Sequence, residues 1–147
     1  VNRLHVVPTI QEARSRGAKV ILIDVHRNQS AHLCDEVLLV KSGTDAALLL
    51  ALMSDLEKMG AVDADFVKQH TTGYSKLKEE FSQWTLEKAE NITGVPTEQI
   101  HKLTLLWAQA KKPMLIAGSG MSRYTNGAAA FRLLSCLVPE SQFFLSE

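Results

Sequence analysis

Lys19-Val-Ile-Leu-Ile-Asp24 is the stretch on which the fold turns. Its β-branched apolar run is too short for a helix and apolar on both faces, as expected of a buried strand in a parallel sheet. Upstream, Ile10 to Arg16 reads as the end of a helix stopped by Gly17. Downstream, Glu36-Val-Leu-Leu-Val40 is a second short strand, and Lys41-Ser-Gly-Thr44 breaks the chain. A long Ala/Leu/Met helix from about Asp45 to Met59 follows, ended by Gly60. Pro113-Met-Leu-Ile-Ala117 reads as a third buried strand before Gly118-Ser-Gly120 and a last helix around Gly127 to Val138. Strands alternating with helices imply a parallel sheet with helices on its faces. Three strands make a small sheet, which a further strand ahead of Val1 would complete.

The middle third reads as helical and amphipathic. Tyr74, Leu77, Phe81 and Trp84 fall at i, i+3, i+7 and i+10, on one helix face. Thr85 is placed to cap a short helix ending near Gly94. Pro96 reads as a first helical position with Glu98 in the first turn, and Ile100, Leu103, Trp107 and Ala110 line one face. Lys111-Lys-Pro113 ends that helix. With no repeat, low-complexity tract or linker, residues 1–147 read as one domain.

Composition narrows the function classes. The 147 residues carry 16 Lys+Arg against 16 Asp+Glu, a balance that argues against nucleic acid as the main partner. No apolar run reaches the ~18 residues of a membrane span. Cys34 and Cys136 are far apart and form no C-x-x-C, so a zinc, iron–sulfur or disulfide framework within the chain is not expected, and both read as packing residues. The histidines show no metal-binding spacing, and no catalytic acid, base or nucleophile set can be assembled. The Val1 start and the apolar Phe143-Phe-Leu145 near the end suggest a piece of a longer protein.

Chemistry is expected at the carboxyl ends of the strands, where open α/β sheets bind ligands. Asp24 is placed either to accept hydrogen bonds from ribose hydroxyls or to cap a turn. Gly43 allows close backbone approach at the start of the long helix. Asp45 is able to accept two hydrogen bonds from the N1–H and amino group of guanine, a pair that adenine lacks. The plainer reading is a helix start with a Thr44 cap and a first-turn acid. Gly118-Ser-Gly120 breaks the G-x-G-x-x-G pattern at Arg123, so it marks either close backbone approach to a ligand or tight packing. Ser119, Ser122 and Arg123 are donors suited to carbonyl or phosphate oxygens.

Taken together, the segments Glu12 to Asp24, Ser42 to Leu50, Asp65-Phe-Val with His70-Thr-Thr-Gly, Ile92-Thr-Gly-Val-Pro96, and Gly118-Ser-Gly120 through Tyr124-Thr-Asn-Gly127 resemble the molybdopterin oxidoreductases of the dimethyl sulfoxide reductase, formate dehydrogenase and nitrate reductase type. The resemblance covers roughly Pro8 to Val138. It implies an α/β fold: a three-layer Rossmann-like domain with a mostly parallel sheet, helices on both faces and a helical middle segment. It also implies an internal fragment, inactive alone, that holds one guanosine arm of a bis(molybdopterin guanine dinucleotide) cofactor for redox chemistry at Mo or W. By that analogy Asp24 contacts the ribose, Gly43 and Asp45 contact the guanine, and Gly118, Ser119, Gly120 and Arg123 approach the pterin.

The chain departs from the family pattern in places. Ile-Asp-Pro-Arg is replaced by Ile23-Asp24-Val25-His26-Arg27, so His26 takes the Arg position and Arg27 is the substitute for a phosphate or guanosine contact. Ser119 stands where the family has an apolar residue or Met, and Arg123 where it has Gln. The family's iron–sulfur cysteines and metal-ligating residue are not in this chain, so the resemblance places an iron–sulfur cluster and the metal ligand elsewhere in the parent. Its implied partners are the remaining domains of the parent and electron-transfer subunits. Two alternatives are a non-catalytic subunit of the same fold, like the large iron–sulfur subunit of respiratory complex I, and the middle domain of a thiamine-diphosphate enzyme. The latter is suggested by Lys112-Pro-Met-Leu-Ile-Ala-Gly-Ser-Gly120.

Overall fold

The computed structural model describes residues 4–140, with side chains from His5 to Leu137. Two compact units divide at Lys41 and Ser42. In the first, helix α1 (Val7–Ser15) leads through Gly17, whose φ of +92° suits glycine, to strand β1 (Ile21–Asp24). A 3₁₀ turn (Gln29–Leu33) precedes strand β2 (Glu36–Leu39). The strands pair in parallel, with Ile21 opposite Glu36 and Asp24 opposite Leu39.

Asp35 fastens this unit. Its Oδ2 accepts from the Val20 N–H (2.8 Å) and its Oδ1 from Arg14 Nη2 (2.9 Å), tying α1 to the starts of both strands. The Val20 N–H first, and then Arg14, hold this carboxyl below the usual carboxylate range. Register partners in a parallel pair share a face. Leu38 and Val40 are buried on one face, while Leu39 on the other is 46% exposed. Ile23, the register partner of Leu38, is itself 37% exposed, so the expectation of a strand pair apolar and covered on both faces holds fully on neither face.

The α/β class stands, but the sheet has two strands among the described residues. Pro113–Ala117, read as a third strand, forms none. Its alternate apolar residues face outward, Met114 at 76% and Ile116 at 45% exposure. A strand requires a neighbouring backbone to bond, and the apolar pattern does not supply one.

The second unit is built around helix α2 (Asp45–Lys58). Nine of the ten positions from Ala47 to Leu56 are buried, all but the half-buried Leu50, and they include Ser54 and Asp55. A helix apolar around its whole circumference has to be enclosed. Helices α4 (Tyr74–Phe81), α5 (Leu86–Thr93), α6 (Thr97–Gln109) and α7 (Gly127–Glu140) all pack against it, and α3 (Ala64–His70) packs against α7. Gly60, at φ +66°, follows the end of α2.

Polar bonds set the orientations of these helices. Asp55 Oδ2 on α2 lies 2.8 Å from His101 Nδ1 on α6, giving the buried carboxylate a partner. Glu57 accepts from the Tyr74 hydroxyl (2.7 Å) and from Lys78, both on α4. Burial pushes the Glu57 carboxyl up, and the hydrogen bonds from Lys78 and Tyr74 outweigh it, leaving a net lowering. The face Tyr74, Leu77 and Phe81 forms as read, but α4 ends at Phe81 and Trp84 lies beyond it. A turn through Ser82 and Gln83 interrupts the period, and the Trp84 ring instead carries Lys88 Nζ 4.3 Å from its centroid.

The Ile92-Thr-Gly-Val-Pro96 segment is the corner between α5 and α6. Thr85 accepts from the Lys88 N–H to start α5, and Gly94 ends it at φ +77°. Val95 is fully buried, and Pro96 precedes the first helical residue instead of occupying it. The Glu90 carboxylate reaches across the corner to the N–H (3.0 Å) and hydroxyl of Thr97, capping α6 from outside. The Thr97 hydroxyl first, and then its N–H, lower the Glu90 pKa. Such a carboxyl stabilises the fold above its unfolded-state pKa, and that contribution is lost as pH falls through the depressed folded value. Glu90→Gln is accordingly expected to lower the urea midpoint at neutral pH, with the gap to the native chain narrowing on acidification. A gap that widens in acid contradicts this account of the corner.

Candidate functional site

Asp24, His26 and Arg27 belong to the first unit. Asp24 closes β1, and its two oxygens hold the following turn: Oδ1 accepts from the Val25 N–H and Oδ2 from Asn28 Nδ2, each at 2.6 Å. Asn28 in turn accepts from the Ser30 N–H (2.7 Å), starting the 3₁₀ turn. The turn-capping reading of Asp24 is thus realised, and each oxygen keeps a further lone pair for an external donor. His26 Nδ1 is 3.7 Å from Asp24 Oδ1, with its ring largely in solvent, and Arg27 is exposed. Cys34 donates to the Ser30 carbonyl (3.4 Å), and burial pushes its thiol up, away from thiolate character.

The second unit holds the remaining candidates. Gly43 adopts φ +76°, and Asp45 is the first residue of α2. Thr44 makes no side-chain cap to that helix, contrary to the plainer reading of the sequence. Asp45 is half-buried, and no hydrogen bond or ion pair engages its carboxylate among the described residues. Its position favours negative charge, since the first-turn N–H groups carry the positive end of the helix dipole.

Gly118 precedes a 3₁₀ turn, Ser119–Arg123, in which Ser122 Oγ donates to the Ser119 carbonyl (2.8 Å). Gly118, Ser119, Gly120 and Arg123 are all exposed. A Cβ on Gly118 or Gly120 would meet nothing within 4 Å, and neither residue adopts a positive φ. Tight packing inside the unit therefore does not account for these two glycines. Gly127 is different: a Cβ there would lie 2.5 Å from the Met121 carbonyl oxygen.

The chain brings the two candidate segments of this unit together. Asn126 Nδ2 donates to the Gly43 carbonyl at 2.9 Å, across 83 positions of sequence. The Tyr124 ring lies over Gly43, where a Cβ would sit 3.2 Å from Cδ1. Neither Tyr124 nor Asn126 is singled out by the sequence reading. The signal available was their place in Tyr124-Thr-Asn-Gly127, where Asn-Gly marks a turn ahead of a helix.

Against known proteins, the profile described as molybdopterin oxidoreductase matches residues 3–142. The chain belongs to the molybdopterin oxidoreductase family. It is 37% identical over 134 residues to the probable oxidoreductase YoaE of Bacillus subtilis, covering 91% of this chain and 20% of that protein. Formate dehydrogenase H of Escherichia coli is 30% identical over 90% of this chain and 18% of its own length. Among solved structures, acetylene hydratase from Pelobacter acetylenicus superposes with a TM-score of 0.85 at 28% identity, over 91% of this chain and 18% of that one. This molybdopterin oxidoreductase segment thus spans about one fifth of the length of the curated relatives it matches. The family implies a molybdenum or tungsten pterin cofactor in its oxidoreductases, and the match does not support the thiamine-diphosphate alternative.

The residues present fit such a group on the side of the second unit. Asp45 offers an acceptor that no described residue uses, beside first-turn amides that no Thr44 cap covers. Gly118 and Gly120 leave open the space their side chains would fill. Such a group would supply the metal-centred chemistry of the family's oxidoreductases, with protein residues supplying binding and orientation.

Proposed function

We propose that this chain is one part of a longer molybdopterin-dependent oxidoreductase and binds the guanosine arm of a molybdopterin guanine dinucleotide. One observation supports the reading: the Gly43–Asp45 helix start and the Gly118–Asn126 segment meet through the Asn126–Gly43 hydrogen bond, with the half-buried Asp45 carboxylate engaged by no described residue and Gly118 and Gly120 exposed. In this reading Asp45 accepts from the guanine N1–H and amino group, and Gly43 admits the base. Gly118, Ser119, Gly120 and Arg123 face the pterin side. Within the first unit taken by itself, Asp24 is read as an acceptor for a ribose, with His26 and Arg27 as donors for a phosphate. Relatives named as formate dehydrogenases support the redox assignment, while the hydratase among the solved structures shows that the likeness alone does not select the reaction.

The exposed Met114 and Ile116 support a second part of the proposal, that other domains of the parent cover this segment. Iron–sulfur and electron-transfer partners follow from the same reading. A non-catalytic subunit of complex I type would instead carry no molybdenum or tungsten, so metal analysis of the parent separates the two.

Asp45→Ala in the full-length parent is expected to weaken cofactor binding about 10- to 100-fold, for a loss of roughly 1.5–3 kcal/mol in charge-assisted hydrogen bonding. Guanine released by acid from the purified protein, counted against bound metal, reads this directly. Native guanine and metal content in that variant removes Asp45 from the site.

A further inference from the structure

We infer that Asn126 is a positioning residue for guanine recognition, holding the start of α2 in register through the Gly43 carbonyl; this rests on the guanosine reading above. The start of α2 lacks the usual internal device for fixing a helix end, because Thr44 does not cap it. The Thr44 carbonyl accepts from the Ala47 N–H (3.0 Å), and a contact from elsewhere in the chain holds the residue before it. Asn126 Nδ2 meets the Gly43 carbonyl at 2.9 Å, and the Tyr124 ring covers Gly43 on the side where a Cβ would stand. Gly43 is the last residue but one before Asp45, so a rotation at its left-handed backbone would swing both the Asp45 carboxylate and the first-turn amides.

The latch itself is firmly held. The Asn126 carbonyl accepts from the Ala130 N–H (3.0 Å) in the first turn of α7, and the Gly127 N–H donates to the Tyr124 carbonyl (2.9 Å). Helix α7 packs on α2, so both halves of the latch stand on the same framework. The chemistry demands a donor at position 126. The Gly43 carbonyl only accepts, which fixes the amide nitrogen, not its oxygen, toward Gly43. A carboxylate of the same shape would turn an attraction into a repulsion.

Gly118 precedes the 3₁₀ turn, Gly120 lies within it, and Asn126 follows it on the same short segment. The latch therefore ties together the two loops that the guanosine reading places at different ends of the cofactor arm. Losing it should loosen recognition at Asp45 while leaving the Asp45 carboxylate itself chemically intact.

Asn126→Asp in the full-length parent tests this, since it keeps size and shape and removes the donor. Hydrogen exchange on the cofactor-free protein should show the Thr44–Ala47 amides exchanging roughly two- to tenfold faster, as for the loss of one net hydrogen bond, with α6 amides unchanged. Guanine and metal retained after purification should fall by a similar factor, and Tyr124→Ala should act in the same direction. Native exchange at Thr44–Ala47 in the Asp variant overturns the inference. Faster exchange with undiminished guanine and metal also overturns it, because the contact then serves the fold alone. A native parent that releases no guanine overturns the underlying reading, whatever the exchange data show.

Discussion

Phe81→Ala should lower the stability of the chain by about 3–5 kcal/mol, the range for emptying a fully buried aromatic site. Phe81 is fully buried at the end of α4, and its ring meets Tyr74 edge-on with centroids 6.1 Å apart. Tyr74 bonds Glu57 on α2, so the ring supports the contact by which α4 covers the central helix. Removing it leaves a void flanked by helices already committed to other neighbours, and close-packed interiors fill such voids only in part. Phe81→Leu retains most of the volume and should cost much less. Urea denaturation of residues 1–147 checks both, with the midpoint moving and the slope held. A loss below about 1 kcal/mol for the alanine variant would show that the site collapses freely.

Gly127→Ala comes next in expected effect. The added methyl would stand 2.5 Å from the Met121 carbonyl oxygen and 2.9 Å from Ser122 Cα, both backbone atoms that no rotamer change can move aside. Relief requires the 3₁₀ turn to shift against α7, at a cost of about 1–3 kcal/mol. The shift would also displace Asn126 and Tyr124 from Gly43. Gly118→Ala and Gly120→Ala make the contrast. Their methyls meet nothing within 4 Å, so the chain alone should change by no more than roughly 0.5 kcal/mol. In the cofactor-bearing parent those same variants should lose guanine and metal. Equal destabilisation of the bare chain by all three glycine variants would refute this division.

Much of the helical framework was legible because its determinants are local. The Ala/Leu/Met run and Gly60 bound α2, and Thr85 with Gly94 bounds α5, each through caps within a few residues of the helix they end. The β1–β2 pair was equally readable from its β-branched composition. Pro113–Ala117 was not, since whether an apolar extended run becomes a strand is decided by the backbone beside it. Trp84 kept the helical spacing of Tyr74, Leu77 and Phe81, yet a two-residue turn had already ended the helix.

The same distinction governs the site. Gly43 and Asp45 could be nominated because a helix start is visible in sequence. Asn126 and Tyr124 act on Gly43 from 80 residues and more away, and a lone polar loop residue carries no mark of such a partner. The Ile-Thr-Gly-Val-Pro segment shows the converse: a motif that carries the family likeness turns out to be a helix corner clamped by Glu90.

Helix α2 is enclosed along nearly its whole length and open to solvent mainly at its ends. Its interior is consequently under a volume constraint from four neighbouring helices at once, so drift there is confined to swaps of nearly equal size. On the guanosine reading proposed above, adaptation to a different nucleotide would be made at the tip, within the first turn and the loop that leans on it. Such a pillar lets selection rewrite what is recognised while the masonry behind it stays put.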